Sequence, residues 1–554
     1  MFSRMINSSR LARTSHIRRH SMFSHSSPSS HVPDFKGKDL HNETLQIRKR
    51  LLDALTQEQS LSSMFSAWLN KRPIKSSLFE FRKYLTQDQV NFVNLLDESC
   101  YQLILDEHLA ILEKFYKAKQ QEHTFLGNLY RKITFEEMIC RLIKARYEAA
   151  YQDGRLLYYR NGHQELMEPL QHLSDRDKLL AVGTPEDKSK LYEHYLTMEE
   201  SALSHLVSAN GYFLPIENGV RYRNNGVIPN YRSGNALQEL EKAHLGPVLI
   251  NYAVGPELRN GQSLHYDALM CLEYADEKPG HPHYDRRTKA LNHKSFASVV
   301  QDLYGDEYPQ GPKSKEACQL IKFKLPQGEF GFKEAYFYVN AYKTRLRHTL
   351  KQTLMASDLF MLEPGVIRLK GLGLGAFGIS SLESLLESLY LEVLNELLST
   401  LPLQKINKIE LINFPSLMKR FDLHPDDLDY YMNYGKDMSY PAQIVHPRIT
   451  VVQKLTPCLS DAEEAYLATH VCGDSISRPG NEGAVGLPPH SSDEASMYYS
   501  LAGMNSMREQ TNVPNEQLVG KIIVTDGVHC TKLVDKLESE LSPSSNSSIN
   551  PFSI

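Results

Sequence analysis

Apolar residues recur at three- and four-residue spacing along much of the chain between about residues 40 and 206. This part is rich in Leu, Glu, Lys and Gln and contains little Gly or Pro. The spacing is clear from Phe92 to Ile104 and again from Met138 to Ile143. Because it matches the turn of an α-helix, the pattern predicts an α-helical domain over residues 40–206.

The pattern changes near Ala209, where short β-branched and aromatic runs begin to alternate with helical stretches. The runs predict strands at residues 212–215, 248–253, 335–339, 366–369, 409–413, 449–452 and 521–524. Helical patterns lie between them at about 235–244, 343–358 and 381–400. This alternation predicts an α/β layered domain with a mainly parallel or mixed sheet, at residues 207–535, with a Pro- and His-containing insertion at about 274–315.

Both ends of the chain have an unusual composition. Residues 1–39 are Ser-rich and contain no acid before Asp34, which predicts a disordered basic segment. An organelle transit peptide, such as a mitochondrial one, has the same composition and stays an alternative. Residues 536–554 contain two glutamates and then an uncharged, Ser-rich run, which predicts a disordered tail.

Size and charge exclude some classes of function. At 554 residues the chain is expected to form two or three domains. Its net charge of -4 gives no electrostatic reason to expect nucleic-acid binding, and no apolar run has the length that a bilayer span needs. The seven cysteines are scattered without a Cys-x-x-Cys pair, so neither a disulfide framework nor a zinc site is indicated.

One group of residues in the insertion has the chemistry of metal ligands. It comprises His281, His283, Asp285 and His293. The group lies in a Pro-rich segment and has no second ligand cluster at firm spacing, so a solvated loop is the favoured interpretation. We therefore expect no metal.

A glycine-rich turn follows the predicted strand at 366–369. Glycines at 371, 373, 375 and 378 allow the backbone to approach a ligand closely. Ser380 and Glu383 have capping-box spacing, which predicts that the next helix begins there. Backbone N–H groups and a helix N-terminus together suit a phosphate or diphosphate.

The same turn satisfies the Gly-x-Gly-x-x-Gly fingerprint of dinucleotide-binding Rossmann domains, from Gly373 to Gly378. A Rossmann site also needs an acid at the tip of the following strand, to bind the ribose hydroxyls. That strand continues into Asn413 and Phe414 without one, and the turn comes late in the domain. The Rossmann interpretation is therefore disfavoured.

The stretch from Ala341 to Asn413 resembles macrodomains of the poly(ADP-ribose) glycohydrolase type. In that family a Gly-x-Gly-Ala-Phe-Gly loop wraps the diphosphate of ADP-ribose. The resemblance assigns this role to Gly373, Gly375, Ala376, Phe377 and Gly378. The family's tryptophan before the loop is replaced by Leu372 or Leu374. The implied fold is a macrodomain-like three-layer α/β domain with a mixed sheet, preceded by the α-helical domain.

A second family signature, a glycine-rich loop followed by adjacent glutamates, is matched only in part. Between Asn225 and Glu241 the triple glycine is absent, and a leucine separates Glu239 from Glu241. On a helix these two acids would point in different directions. An ordinary surface helix explains them equally well.

An acidic loop extends from about Cys472 onward and is dense in Asp, Ser, Asn and Gly. A solvated loop is one interpretation. The segment also resembles a loop in macrodomain-like bacterial effectors, where acids surround the distal ribose. That resemblance implies Asp474 as the leading catalytic acid, with Glu482 and Asp493 assisting and Asn481 in the ligand site. Glu482 stands where the pattern has an aspartate.

These residue types suit cleavage of a glycosidic bond to ADP-ribose. Carboxylates stabilise an oxocarbenium-like state, and one of them can position or deprotonate water. The resemblance therefore implies an ADP-ribosylhydrolase that needs no cofactor. Its implied substrate is an ADP-ribosylated host protein, with ubiquitin as one carrier.

The resemblance also implies a secreted bacterial effector that acts in the host cytoplasm. The acidic patch and small polar residues of the C-terminus resemble the export signal of type IV effectors. Two alternatives stay open: a module that binds ADP-ribose without cleaving it, and an interaction scaffold whose helical domain binds a host protein while the α/β domain is inert.

Overall fold

The structure is a computed structural model, and its description covers part of the chain. The described residues are 46–47, 49–50, 87, 91, 94–95, 98, 101–145, 148–152, 155–159, 196–213, 246–252, 272–274, 298–299, 301–303, 320–324, 334–361, 364–372, 374, 380–412, 414–420, 439–442, 444–454, 467–473 and 514–541.

Strands and helices alternate through the described residues. The strands are β1 Tyr101–Leu105, β2 Glu148–Gln152, β3 Arg155–Tyr159, β4 Val207–Phe213, β5 Gly246–Tyr252, β6 Leu272–Tyr274, β7 Leu320–Lys324, β8 Glu334–Tyr338, β9 Gly365–Lys370, β10 Ile406–Ile412, β11 Ser439–Pro441, β12 Thr450–Lys454, β13 Leu467–Gly473, β14 Ile522–Thr525 and β15 Cys530–Lys532. The α-helices are α1 Asp106–Gln120, α2 Phe125–Tyr130, α3 Phe135–Lys144, α4 Met198–Ser204, α5 Val339–Phe360, α6 Glu383–Thr400, α7 Pro415–Arg420, α8 Asn515–Val519 and α9 Leu533–Leu541.

Among the described residues, ten strands form one mixed sheet, in the order β11-β12-β10-β9-β13-β5-β4-β1-β14-β15. The strands β12, β10, β9, β13 and β5 are parallel to their neighbours within this run. β4 is antiparallel to both β5 and β1, and β1 is parallel to β14. Separate small sheets are formed by β2-β3 and by β6-β8-β7. The predicted α/β class with a mixed sheet is confirmed.

Helix α6 connects the parallel neighbours β9 and β10. Its buried residues recur at helical spacing and include Leu386, Tyr390, Val393 and Leu397. They belong to the same hydrophobic cluster as Ile367 of β9. Burial of this apolar face, more than helix propensity, holds the helix on the sheet.

Helix α5 packs beside α6 and also contacts β5 and β1. At its C-terminal end, the carboxylate of Asp358 accepts hydrogen bonds from the backbone N–H groups of Gln404, Lys405 and Ile406, at 2.7 to 3.0 Å. This carboxylate fixes the segment that enters β10. Asp358 is therefore one reason why β10 begins where it does.

The predicted helical domain is only partly helical in its described residues. Helix α3 is confirmed, with its predicted face at Met138, Ile139, Leu142 and Ile143 buried. The predicted helical face at Leu103 and Ile104 is wrong, because those residues form β1 and are fully buried in the large sheet. The strands β2 and β3 also lie in this range. A domain boundary at residue 206 stays a prediction. The strand β1, which precedes this residue, lies in the same sheet as strands that follow it.

Two local predictions near helix ends are wrong. Helix α6 begins at Glu383, after the 3₁₀ turn Ser380–Leu382, and its N-cap residue is Leu382, so the predicted helix start at Ser380 is wrong. The predicted disordered tail from residue 536 is helical as far as Leu541, because α9 continues that far. Leu537 packs against the core, which explains the extension.

Among the described residues, no helix has the length and apolar character that crossing a membrane requires.

Candidate functional site

The carboxyl ends of β9 and β13 lie next to each other at one edge of the sheet. The two strands are parallel neighbours, with Val366, Ile367 and Arg368 opposite Leu467, Ala468 and Thr469. β9 ends at Lys370 and β13 ends at Gly473. Because parallel strands run in the same direction, the chain leaves both at the same edge.

The two sequence motifs begin at these two strand ends. The glycine turn starts at Gly371, directly after β9, and Asp474 is the residue directly after β13. Neighbouring strands are about 4.8 Å apart. Two blocks that lie about a hundred residues apart in the sequence therefore start on adjacent strands.

This edge is a topological switch point of the sheet. After β9 the chain crosses through α6 to β10, on one side. After β13 the next described strand is β14, which lies on the other side, beyond β5, β4 and β1. Open α/β sheets bind their ligands at such a point, outside the carboxyl ends of the strands.

The first residues of the glycine turn are held by the core. The Leu374 N–H donates to the carbonyl oxygen of Gly371 at 3.1 Å, which closes a tight turn. Leu372 and Leu374 are both buried. The hydroxyl of Tyr342, on α5, donates to the carbonyl oxygen of Leu372 at 3.3 Å. The entrance to the turn is therefore anchored to the helix layer.

Close packing explains the glycine at position 371. A Cβ atom there would lie 2.6 Å from Cδ1 of Leu374 and 2.9 Å from its Cβ. Both distances are shorter than a van der Waals contact. A side chain at this position would push Leu374 out of its buried place and change the path of the turn.

The predicted site residues themselves lie outside the described residues. They are the acids Asp474, Glu482 and Asp493 and the ligand-binding residues Gly373, Gly375, Ala376, Phe377, Gly378 and Asn481. The same holds for Glu239 and Glu241 and for the metal candidates His281, His283, Asp285 and His293. Their roles stay predictions. The described residues at this place are the ends of β9 and β13, from which the glycine turn and the acidic loop start.

A buried ion pair lies just behind the switch point. Arg368 and Glu410 are 2% and 3% exposed, and Nε of the arginine is 3.0 Å from Oε2 of the glutamate. Lys408 approaches the other carboxylate oxygen at 3.3 Å. The sequence carries a signal for this pair, since each charged residue interrupts an apolar strand.

The residues of a second cluster, Glu107, His108 and His348, come from two places that are distant in sequence. Glu107 and His108 lie in the first turn of α1, and His348 lies in the middle of α5. Their ligand atoms all lie within 4.8 Å of one another. No local sequence pattern predicts a contact between residues 108 and 348, because it depends on how α1 packs against α5.

Cys140 and Cys530 are poor nucleophiles. Burial raises the pKa of both Cys140 and Cys530 to about 12. The thiolate, which is the reactive form, is therefore almost absent from both at neutral pH. Neither Cys140 nor Cys530 therefore has the properties of a catalytic thiol.

Comparisons with known proteins add no family: no protein-family model matches the chain, and no curated protein matches its sequence.

Proposed function

We propose that this protein hydrolyses the bond that joins ADP-ribose to a modified protein. The observation that carries the proposal is the adjacency of β9 and β13, whose carboxyl ends meet at the switch point of the sheet. One strand end leads into a glycine turn and the other into an acidic loop. A diphosphate joined to a hydroxyl-rich sugar matches that combination.

The two loops supply different chemistry to such a ligand. A glycine turn offers backbone N–H groups, which donate to diphosphate oxygens. Carboxylates accept hydrogen bonds from ribose hydroxyls. Since the loops start about one strand spacing apart, a single ligand can reach both. In the proposal Gly373, Gly375, Ala376, Phe377 and Gly378 hold the diphosphate.

The acids of the second loop would carry the reaction. Asp474, the residue that follows β13, is proposed to position or deprotonate the attacking water. Glu482 and Asp493 would stabilise positive charge on the ribose in the transition state, and Asn481 would bind the sugar. No cofactor is needed for this step. The finer fold, a three-layer macrodomain-like domain, is part of the same proposal.

Binding is tested by thermal unfolding of the full chain in the presence of ADP-ribose, NAD or ATP. ADP-ribose should raise Tm in proportion to the logarithm of its concentration above Kd. The change Gly375→Glu should abolish the shift, because it places a carboxylate where the diphosphate binds. Gly520→Glu, at an exposed glycine after α8, is the matched control and should keep it. Absence of a shift with all three ligands would contradict the proposal.

Catalysis is tested separately, by release of free ADP-ribose from an ADP-ribosylated protein such as modified ubiquitin. Asp474→Asn should slow the release by roughly 10²- to 10⁴-fold, the usual contribution of a general base, and should preserve the ADP-ribose shift. If the wild-type chain binds ADP-ribose but releases none from the modified protein, the hydrolase proposal is wrong and the chain is a module that only binds ADP-ribose. The alternative of an inert scaffold requires neither binding nor release.

We also propose that the C-terminus directs export through a type IV secretion system into a host cell. The carriers of ADP-ribose would then be host proteins. Glu538, in the acidic patch, is exposed on α9, so a receptor can reach it. Removal of residues 542–554 should stop translocation of a reporter fusion without lowering Tm. Unchanged translocation would contradict the export proposal and would not affect the hydrolase proposal.

A further inference from the structure

Glu107, His108 and His348 bring three metal-binding side chains together where α1 meets α5. Nε2 of His108 lies 3.1 Å from Nδ1 of His348 and 3.7 Å from Oε1 of Glu107. All three ligand atoms fall within 4.8 Å of one another. Tetrahedral zinc, with bonds of about 2.0–2.2 Å, places its ligand atoms roughly 3.2–3.6 Å apart. An ion therefore needs only small side-chain adjustments.

His348 presents the correct nitrogen to the cluster. Its Nε2 lies 3.3 Å from the carbonyl oxygen of Leu303. A carbonyl can only accept, so Nε2 carries the hydrogen and Nδ1 offers its lone pair to the cluster. A backbone carbonyl on the distant nitrogen is the arrangement by which proteins orient a metal-binding histidine.

His108 can also act as a ligand. Its Nδ1 is buried and has no hydrogen-bond partner among the described residues, so no second contact fixes which nitrogen carries the hydrogen. Nε2 can therefore release its hydrogen to Nδ1 and turn its lone pair to an ion.

The third ligand is oriented by a lysine. Nζ of Lys351 lies 2.5 Å from Oε2 of Glu107, while Oε1 faces His108. A bound ion would thus meet a carboxylate whose second oxygen is already engaged. The positive charges of Lys351 and Arg345 repel a cation, and the Glu107 carboxylate offsets one of these charges. We therefore expect moderate affinity for a metal ion.

We propose that Glu107, His108 and His348 form a site for a divalent transition metal of the Zn²⁺ class, with a fourth position open to water. Two imidazoles and one carboxylate favour Zn²⁺ over Mg²⁺ or Ca²⁺, which prefer sets of oxygen ligands. His108 is buried, whereas the side chain of Glu107 is 48% exposed. The cluster is therefore open on the glutamate side, and an ion can enter there.

The proposed metal site lies at the same edge of the sheet as the switch point. β1 and β5 run in the same direction, because both are antiparallel to β4. Glu107 and His108 follow the carboxyl end of β1, three strands from β13, or about 14 Å along the sheet. That separation is too large for direct coordination of a group bound at Asp474. The metal proposal therefore stands independently of the proposed function.

The test is metal binding by the full chain after chelator treatment, with Co²⁺ as a visible probe and Zn²⁺ as its competitor. Histidines elsewhere in the chain can also bind a metal. The readout is therefore the number of metal ions bound per chain, and the site is identified by the one ion whose binding each variant weakens. Glu107→Gln and His348→Gln should each weaken one equivalent by at least about 10-fold, the lower bound for perturbing a metal's immediate surroundings. The tetrahedral Co²⁺ absorption should fall in parallel.

Two matched controls should bind as the wild type does. Glu113→Gln changes another glutamate of α1 that pairs with a lysine, Lys117 at 2.9 Å. His529→Gln removes an exposed histidine that lies 3.2 Å from the carboxylate of Asp526. Circular dichroism verifies the fold, and if His348→Gln fails to fold, the half-exposed Glu107→Gln decides. Wild-type stoichiometry and affinity in Glu107→Gln, or no Co²⁺ and Zn²⁺ binding at all, would overturn the site.

Discussion

Arg368 of β9 and Glu410 of β10 are register partners in the parallel sheet, and their side chains form an ion pair that is almost fully buried. In the same register, Arg368 lies opposite Thr469 of β13. The arginine therefore lies on the strand at the switch point, and this strand is hydrogen-bonded to β10 on one side and to β13 on the other. This position makes the ion pair a structural support of the proposed ligand site.

Removal of the buried Glu410 carboxylate should lower the free energy of unfolding much more than removal of a carboxylate from an exposed ion pair. We expect Glu410→Ala to lower the free energy of unfolding by about 3–5 kcal/mol, because it leaves the guanidinium of Arg368 buried without the charge beside it. Glu392→Ala, which removes the 57% exposed partner of Lys343, should cost about 0–1 kcal/mol. Urea unfolding of both variants measures the difference. Equal losses would mean that the buried pair contributes no more than a surface pair.

A second buried carboxylate organises the helices α2, α3 and α4. Glu200 accepts from Nε of Arg141 at 2.7 Å, from the hydroxyl of Tyr130 at 2.8 Å and from the backbone N–H of Thr197 at 2.8 Å. Burial, with the adjacent Glu200 charge, raises the pKa of Tyr130 well above its usual value, so the phenol stays a donor. The glutamate therefore has three different donors.

The matched comparison for this network is Glu137, which occupies the same capping-box position in α3 but is only partly buried. Glu137→Ala should cost about 1 kcal/mol, the usual value of a cap. Glu200→Ala should cost about 3–5 kcal/mol, since it also removes the carboxylate beside buried Arg141. Thermal and urea unfolding check both values, and a loss near 1 kcal/mol at both positions would refute the network.

Gly371→Ala tests the entrance to the glycine turn. The added Cβ overlaps the side chain of Leu374, and overpacking of this kind costs about 1–3 kcal/mol. We also expect weaker ADP-ribose binding, because Leu374 is followed by the residues proposed to bind diphosphate. Gly520→Ala is the control, since its Cβ would lie 3.6 Å from the nearest atom. A variant with wild-type Tm and wild-type ADP-ribose affinity would show that the turn tolerates a side chain there.

The buried histidines predict a loss of stability in mild acid. The pKa of His348 is about 4 in the folded protein and 6.5 in the unfolded chain, and that of His108 is also lowered. Between these values the unfolded chain binds more protons, so stability falls as pH falls below about 6.5, by up to about 1.4 kcal/mol per pH unit for each histidine. Above that pH the contribution is constant.

Urea unfolding at several pH values between about 7 and 4.5 measures this dependence. His348→Gln should flatten the slope, whatever its effect on stability at neutral pH. His529→Gln, which removes an exposed histidine, should leave the slope unchanged. The same slope in His348→Gln and in the wild type would show that His348 does not cause the acid sensitivity.

Local sequence patterns predicted the parts of the fold that have strong local signals. The strands β5, β8, β9, β10, β12 and β14 and the helices α5 and α6 lie close to their predicted positions. β1 was missed because Tyr101–Leu105 is buried throughout, and such a run has no alternation that separates it from a buried helix. β13 was missed because polar residues such as Thr469 and His470 interrupt its apolar pattern.

The candidate sites divide in the same way. The glycine turn and the acidic loop could be found from sequence, because each is a contiguous motif. Their meeting on β9 and β13 could not, since strand order depends on non-local pairing. The contact of His108 with His348 is equally non-local and depends on how α1 packs against α5.

The position of β1 between β4 and β14 decides how this protein can be shortened for expression. A fragment that starts at residue 207 would lack β1, and the facing edges of β4 and β14 would lose their hydrogen-bonding neighbour. Unpaired strand edges recruit strands from other chains, so such a fragment is expected to aggregate. Useful truncations must therefore begin before Tyr101, even when the work concerns only the carboxyl-terminal half.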